Sequence, residues 1–220
     1  MKVILLAAGY GKRMGKLSEH TPKPLTQING TETLIEANIR RLAAAGFNDI
    51  IINVSYLAEK IVDKLGDGQA YGVQITYSHE PQPLGWSGGI RRILPTLDQA
   101  PFAVISSDLW TDYPFSHLRQ KLTRKARLVL INNQHYHGDF ALDKNSFVYQ
   151  QSRYTYGGIG VFDPILWRQT TEKTFSFMDV ILPAIDNHLV TGECYHGAWF
   201  NIGTPDCLRM LRHWLTENKQ

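Results

Sequence analysis

Apolar positions along this chain switch repeatedly between a strand-like and a helix-like spacing. Lys2–Ala7 is an apolar run, the pattern of a strand covered on both faces. Thr33–Ala45 has helical spacing, with Ile35, Ile39, Leu42 and Ala43 on one face. Thr33 and Glu36 are placed to form a capping box, and Gly46 falls where a helix ends. Asp49–Val54 is a second apolar strand, rich in isoleucine. Leu57–Leu65 reads as a helix, with Leu57, Ile61 and Leu65 four apart and Gly66 behind them. A strand at Val73–Tyr77, a helix at Ser87–Leu94, a strand at Phe102–Ser106, a helix at Phe115–Leu122 and a strand at Arg127–Ile131 continue the series. This alternation predicts an α/β fold, a three-layer α/β/α sandwich with a mostly parallel sheet.

The pattern loosens later. Phe140–Leu142, Phe147–Gln150 and Gly158–Phe162 are short β segments, expected as a small accessory sheet beside the main one. Phe177–His188 and Pro205–Thr216 return to helical spacing. No internal repeat or long linker interrupts the 220 residues, so the expectation is one domain over 1–220.

Composition narrows the class. A hydrophobic content of 43% with 20% charged residues suits a packed domain and not a disordered chain. The net charge of +3 favours small anions as ligands. Basic residues occur in runs no longer than two, which argues against a nucleic-acid partner. No stretch approaches the ~18 apolar residues of a membrane span. The apolar start Val3–Ala8 is shorter than a signal-peptide core, and only two cysteines, Cys194 and Cys207, are present. These features together read as a cytoplasmic protein without a membrane partner.

The candidate chemistry begins where the first strand stops. Leu6-Ala7-Ala8-Gly9-Tyr10-Gly11-Lys12-Arg13-Met14 runs into Thr21-Pro22-Lys23-Pro24-Leu25. Gly9 and Gly11 allow a tight bend and close approach of the backbone to a ligand. Successive N–H groups in such a bend form an anion cradle, to which Arg13 and Lys23 add full charges. Met14 stands where a dinucleotide fingerprint needs its third glycine, and Lys16-Leu17 lacks the Ser or Thr of a P-loop. Pro24 biases Lys23 towards an extended backbone, so its ammonium is expected on a stiff segment.

Ligands of open α/β sheets bind beyond the carboxyl ends of the strands. Ser106-Ser107-Asp108 follows such an end, as the glycine loop does. Asp108 is either a Mg²⁺ ligand shared with substrate phosphates or the cap of a turn. Ser87-Gly88-Gly89, behind Gly85 and Trp86, is either a helix start or a surface that reads a flat base, and Trp86 either flanks that base or covers the core edge. Gly157, Gly158 and Gly160 in a strand signal a bulge or a close approach. His135-x-His137-x-Asp139 has metal-like spacing in a loop, where such residues are more often solvated.

These residues resemble the sugar-1-phosphate nucleotidyltransferase family over essentially the whole chain. The loop Leu6–Met14 with Pro22-Lys23-Pro24-Leu25 is similar to its signature. Within it, Ala43-Ala44-Ala45-Gly46, Leu65–Gly68, Tyr71-Gly72, Asp108–Tyr113 and His137–Phe140 are similar to the group acting on N-acetylmuramate 1-phosphate, with mannose-1-phosphate guanylyltransferases also akin. The resemblance implies a Rossmann-like fold of the nucleotide-diphospho-sugar transferase type. It implies an NTP and a sugar 1-phosphate as partners, Mg²⁺ as cofactor, and a monomer or small homo-oligomer. Ala8, Gly9, Gly11 and Gly88 would then hold the nucleotide. Arg13, Lys23 and Asp108 would be catalytic, Asp108 would also bind the metal, and Asp139, Gly157 and Gly158 would line the sugar pocket.

Two departures stand out. Where the family has Trp-x-Asp-x-Gly-Thr, this chain has Trp199-Phe200-Asn201-Ile202-Gly203-Thr204. Asn201 still offers a carbonyl oxygen to the metal but carries no charge, so weaker metal binding is expected. Gly85-Trp86-Ser87 stands where relatives often have an acidic residue and a threonine. A catalytically weak nucleotide sensor is the competing expectation.

Overall fold

The computed structural model describes residues 1–132, 138–168, 170–171 and 176–218. In chain order the elements are β1 (Val3–Leu6), α1 (Leu34–Ala44), β2 (Asp49–Val54), α2 (Ala58–Leu65), β3 (Gln74–His79) and α3 (Gly85–Ile93). Then come β4 (Phe102–Ser106), β5 (Leu109–Thr111), β6 (Ala126–Ile131), β7 (Phe140–Leu142), β8 (Val148–Gln150) and β9 (Thr155–Phe162). The chain continues through α4 (Phe177–Asp186), β10 (Val190–Tyr195), β11 (Trp199–Asn201) and α5 (Pro205–Glu217).

Among the described residues the main sheet has seven strands in the order β10-β6-β9-β4-β1-β2-β3. All neighbours are parallel except β9, which is antiparallel to both β4 and β6. Side chains of a strand point alternately to the two faces. Val3 and Leu5 of β1 accordingly join Ile35, Ile39, Leu42 and Ile61 of α1 and α2 on one face. Ile4 joins Ile90 and Ile93 of α3 and Val180 and Ile181 of α4 on the other. The result is the expected three-layer sandwich. A third cluster seats Leu208 and Leu211 of α5 against Trp110, Ile202 and Leu34.

Helix α1 starts as its sequence dictates. The Thr33 N–H donates to Glu36 Oε2 at 2.9 Å, closing the capping box. Gly46, at φ 81°, turns the chain out of the helix.

Three expectations are corrected. Gly158–Phe162 does not belong to an accessory sheet; it is the end of β9, in the middle of the main sheet. The glycines there fit a crowded neighbourhood: a Cβ on Gly157 would lie 2.9 Å from Ile131 and one on Gly160 2.9 Å from the Phe162 ring. The β6 register shifts between Leu128 and Leu130 opposite this run, which is the bulge that the glycines signalled. Phe115–Leu122 forms only a 3₁₀ turn over Phe115–Arg119, because Gln120 is already extended (φ −61°, ψ 146°). Lys23 opens a 3₁₀ turn, Lys23–Leu25, instead of standing in an extended segment; the turn is closed by the Thr26 N–H bonding to the Lys23 carbonyl at 3.0 Å.

The small β7–β8 hairpin is present as expected. Strands β5, β10 and β11 are additions that local periodicity did not indicate; β5 and β11 pair as a separate ribbon beyond the end of β4.

Candidate functional site

The site lies where β1 and β4 end side by side. Leu6 pairs with Ser106 in the parallel register, so the loops after the two strands leave the sheet together. Ser107 Oγ donates to the Leu6 carbonyl at 2.6 Å and ties them. Between them opens a cavity of about 250 Å³. Ala8, Gly9 and Gly11 form one wall, Lys23 and Asp108 another, and Gly85 and Trp86 close the far side.

The glycine loop is bent as its sequence requires. Gly11 has φ 66° and ψ 19°, the left-handed region that glycine enters without strain. A second constraint comes from space: a Cβ on Gly11 would sit 3.2 Å from Lys23 Cβ. The two motifs of the sequence are therefore packed against each other. Lys23 extends along the loop and places Nζ 2.6 Å from Asp108 Oδ2. A lysine and a carboxylate 85 residues apart thus meet at the cavity wall.

Asp108 continues into the β5–β11 ribbon. The Ile202 N–H donates to the Asp108 carbonyl at 2.8 Å, and Asn201 pairs with Leu109. Asn201 Oδ1 is buried and accepts no hydrogen bond. A buried acceptor left bare costs about 1–3 kcal/mol, so a group that binds there recovers that energy. Oxygen donors are what Mg²⁺ takes, usually one or two from protein and the rest from phosphate and water. Asp108 and Asn201 fit that chemistry. Among the described residues no three His, Cys, Asp or Glu side chains gather round one point. Arg13 lies against the same ribbon: its guanidinium would be 3.3 Å from a Cβ on Gly203. It is exposed, outside the cavity proper, in the 3₁₀ segment Lys12–Ser18.

Other candidates sit further out. Gly88 is buried inside α3, behind Gly85 and Trp86. Gly158 (φ 71°) borders the cavity wall, since its Cβ would lie 2.9 Å from Ser106 Oγ. Gly157 is buried, and its carbonyl accepts from Trp199 Nε1 at 2.9 Å. Asp139 is exposed, its N–H bound to the Tyr154 carbonyl at 2.8 Å. His135 and His137 lie outside the described residues.

Sequence reasoning missed a polar chain beneath the glycine loop. Asn53 Oδ1 accepts from the Ala7 N–H at 2.8 Å, and Asn53 Nδ2 donates to Glu80 Oε1 at 2.7 Å. Glu80 Oε2 then accepts from the Leu84 N–H at 2.8 Å. Asn53 and Glu80 are both buried. They hold the glycine-loop side of the cavity to the segment that leads into α3. The available signal was a lone asparagine inside the otherwise apolar Asp49–Val54.

A mostly parallel α/β sheet carrying a glycine loop, a neighbouring lysine and a carboxylate at one crevice is the arrangement of an enzyme acting on phosphorylated ligands, the phosphoryl-transfer class. Residues 2–139 match the family model described as nucleotidyl transferase, and the chain belongs to that family. It is an enzyme of the sugar-1-phosphate nucleotidyltransferase kind, as its relatives are. It is 36% identical to the N-acetylmuramate alpha-1-phosphate uridylyltransferase of Neisseria meningitidis, over 93% of this chain and 94% of that one. It is 39% identical to the mannose-1-phosphate guanyltransferase of Yarrowia lipolytica over 54% of this chain, spanning only 34% of that relative. The fold is that of a Bacillus anthracis protein provisionally assigned as a glucose-1-phosphate thymidylyltransferase (TM-score 0.87, 19% identity, 100% and 97% of the two chains). HddC from Yersinia pseudotuberculosis complexed with GMP-PN shares it too (TM-score 0.82, 20% identity, 97% and 99%). Among the described residues no helix is long and apolar enough to cross a membrane.

Proposed function

We propose that this protein transfers the uridylyl group of UTP to N-acetylmuramate 1-phosphate, giving UDP-N-acetylmuramate and pyrophosphate. The 220 residues would act as one catalytic domain in the cytoplasm, in the recycling of cell-wall sugars. The single observation that carries the reading is the Lys23–Asp108 pair on the wall of the glycine-loop cavity. Similarity to the Neisseria uridylyltransferase along nearly the whole chain supports this choice of substrates.

In this reaction an oxygen of the sugar phosphate attacks the α-phosphorus of UTP. The bond from that phosphorus to the bridging oxygen breaks, and pyrophosphate leaves with the electron pair. The attacking phosphate is already ionised near neutral pH, so no general base is needed. The obstacle is repulsion between two anions, which is overcome by positioning and fixed charge. The loop Ala8–Gly11 would cradle the phosphates of UTP. Lys23 would leave Asp108 for the α-phosphate region, and Arg13 would orient the pyrophosphate. Gly88 and its neighbours would lie towards the base, and Asp139, Gly157 and Gly158 towards the sugar. Mg²⁺ would be held by Asp108 and Asn201. Bound there, it supplies positive charge to the phosphate oxygens.

The test is pyrophosphate release across UTP, GTP, CTP and ATP, each with N-acetylmuramate, N-acetylglucosamine, mannose and glucose 1-phosphates. The expected maximum is UTP with N-acetylmuramate 1-phosphate, abolished by EDTA and restored by Mg²⁺. A maximum with GTP and mannose 1-phosphate would replace this reading with that of the Yarrowia relative.

A further inference from the structure

Among the described residues that line the cavity, Trp86 is the only aromatic one. It stands with Pro83 and Gly85 on the side that leads into α3, and the glycine loop, Lys23 and Asp108 form the other walls. The same side chain packs into the apolar cluster between the sheet and α3 and α4. Trp86 therefore belongs to the cavity wall and to the core at once.

The indole is fixed from behind. It stacks on Trp167 (5.7 Å between ring centres, 23°) and meets Phe162 and Phe177 edge-on at 5.3 and 4.9 Å. Phe162 and Trp167 are themselves buried. Trp167 is anchored further by its Nε1, which donates to Ser87 Oγ at 3.1 Å. Close-packed rings leave no empty space into which the indole could swing. Trp86 Nε1 is buried without a hydrogen-bond partner, so ring contacts alone hold the side chain.

Space in front of the indole is short. Pockets that bury a small ligand run from about 300 to 1,000 Å³. This cavity has about 250 Å³. A triphosphate held by the glycine loop sends its base towards α3, where the wall is Pro83, Gly85 and Trp86. A purine carries a second fused ring, and a wall that cannot retreat makes that ring a clash. Such exclusion of the wrong ligand gives selectivity without any added contact to the right one. Proline, glycine and a buried indole N–H offer this wall no exposed side-chain donor, so it measures the size of the base and not its polar edge.

We propose that the Trp86 indole is a fixed stop that admits a pyrimidine base and turns away a purine. The inference rests on the uridylyl reading above, which puts the base beside the α3 glycines, and adds the side chain that sets its size.

The experiment is calorimetric titration of the whole protein with UTP, CTP, GTP and ATP in Mg²⁺, with no sugar phosphate present. Wild type, Trp86→Phe and Trp86→Leu are compared by Kd ratios within each protein, so a general loss of affinity cancels. Wild type should bind UTP and CTP more tightly than GTP and ATP. Trp86→Leu should lower the GTP-to-UTP ratio of Kd by about tenfold, and the ATP-to-UTP ratio with it. Trp86→Phe should move both ratios the same way by less; it keeps an aromatic ring against Trp167 and loses no hydrogen bond, so it carries the test if Trp86→Leu does not fold. The CTP-to-UTP ratio should stay constant throughout. Purine ratios unchanged in the folded variants, or a CTP ratio that moves with them, overturn the role of Trp86 and leave the uridylyl reading standing. Wild type binding GTP more tightly than UTP overturns both. The expected ratios with turnover on a sugar 1-phosphate other than N-acetylmuramate support the stop and change only the sugar of the proposed reaction.

Discussion

Lys23 Nζ lies 2.6 Å from Asp108 Oδ2, with the two side chains 12% and 30% exposed. The pair neutralises two groups that an incoming Mg²⁺–triphosphate would separate, the carboxylate going to the metal and the ammonium to phosphate. Under the proposed function, nucleotide binding would exchange one ion pair for two.

On that reading Asp108 would serve the reaction more than the fold. A partly open ion pair contributes little net stability, and Asp108→Ala should lower unfolding free energy by no more than about 2 kcal/mol. Loss of its charge from the reaction centre should slow kcat by a few hundredfold. Steady-state pyrophosphate release beside a urea melt checks both; a normal rate would remove Asp108 from the reaction.

Asn201→Asp restores a second carboxylate where Asn201 Oδ1 is buried without a partner. Without metal the new charge is desolvated, so the variant should melt lower than wild type. Mg²⁺ should then raise its melting temperature more than that of wild type and half-saturate activity at a lower concentration. Identical metal titrations for the two proteins would place Asn201 outside the metal site.

Asn53 holds the Ala7 N–H and the Glu80 carboxylate at once. Asn53→Ala leaves both buried and bare, a loss of about 2–4 kcal/mol in chemical denaturation. It should also raise KM for the nucleotide, because the loop from Ala7 onward loses its support. A variant with normal stability would show that water replaces the amide.

Glu36 gives a pH signature. Burial pulls its carboxyl upward, but hydrogen bonds from Thr33, Tyr71 and Lys64 outweigh that and hold it below its ordinary value. The folded value lies below the unfolded one of about 4.3, so the folded state binds fewer protons. The stabilisation is full above the unfolded value and fades as pH falls through the folded one. Glu36→Gln should cost about 1 kcal/mol at neutral pH and flatten the fall in melting temperature below about pH 4.5. Parallel melting curves for wild type and variant down to pH 3 would contradict this. Tyr71, on the same carboxylate, is pushed up to about 12 by burial and by Glu36, and remains a donor across this range.

Much of the architecture was written in local spacing. Strands β1, β2, β4 and β6, helices α1, α2, α4 and α5 and the bent glycine loop follow from periodicity, capping and backbone restriction, whereas the 3₁₀ turn at Lys23 does not. These are properties of neighbouring residues and need no knowledge of distant chain. Asp108 could be singled out for the same reason, because carboxyl ends of parallel strands face one crevice.

Pairing across the chain was decided only in three dimensions. The glycines of Tyr156–Gly160 signal a bulge or a close approach in a strand, but only the packing shows that Ile131, Ser106 and Phe162 surround them and leave no room for a Cβ. The Lys23–Asp108 ion pair, the bare Asn201 oxygen and the Asn53–Glu80 chain likewise join residues far apart in sequence. Whether a buried polar atom finds a partner depends on where other backbones pass. Local propensity fixes which elements form; only their packing determines which donors and acceptors are left for a ligand.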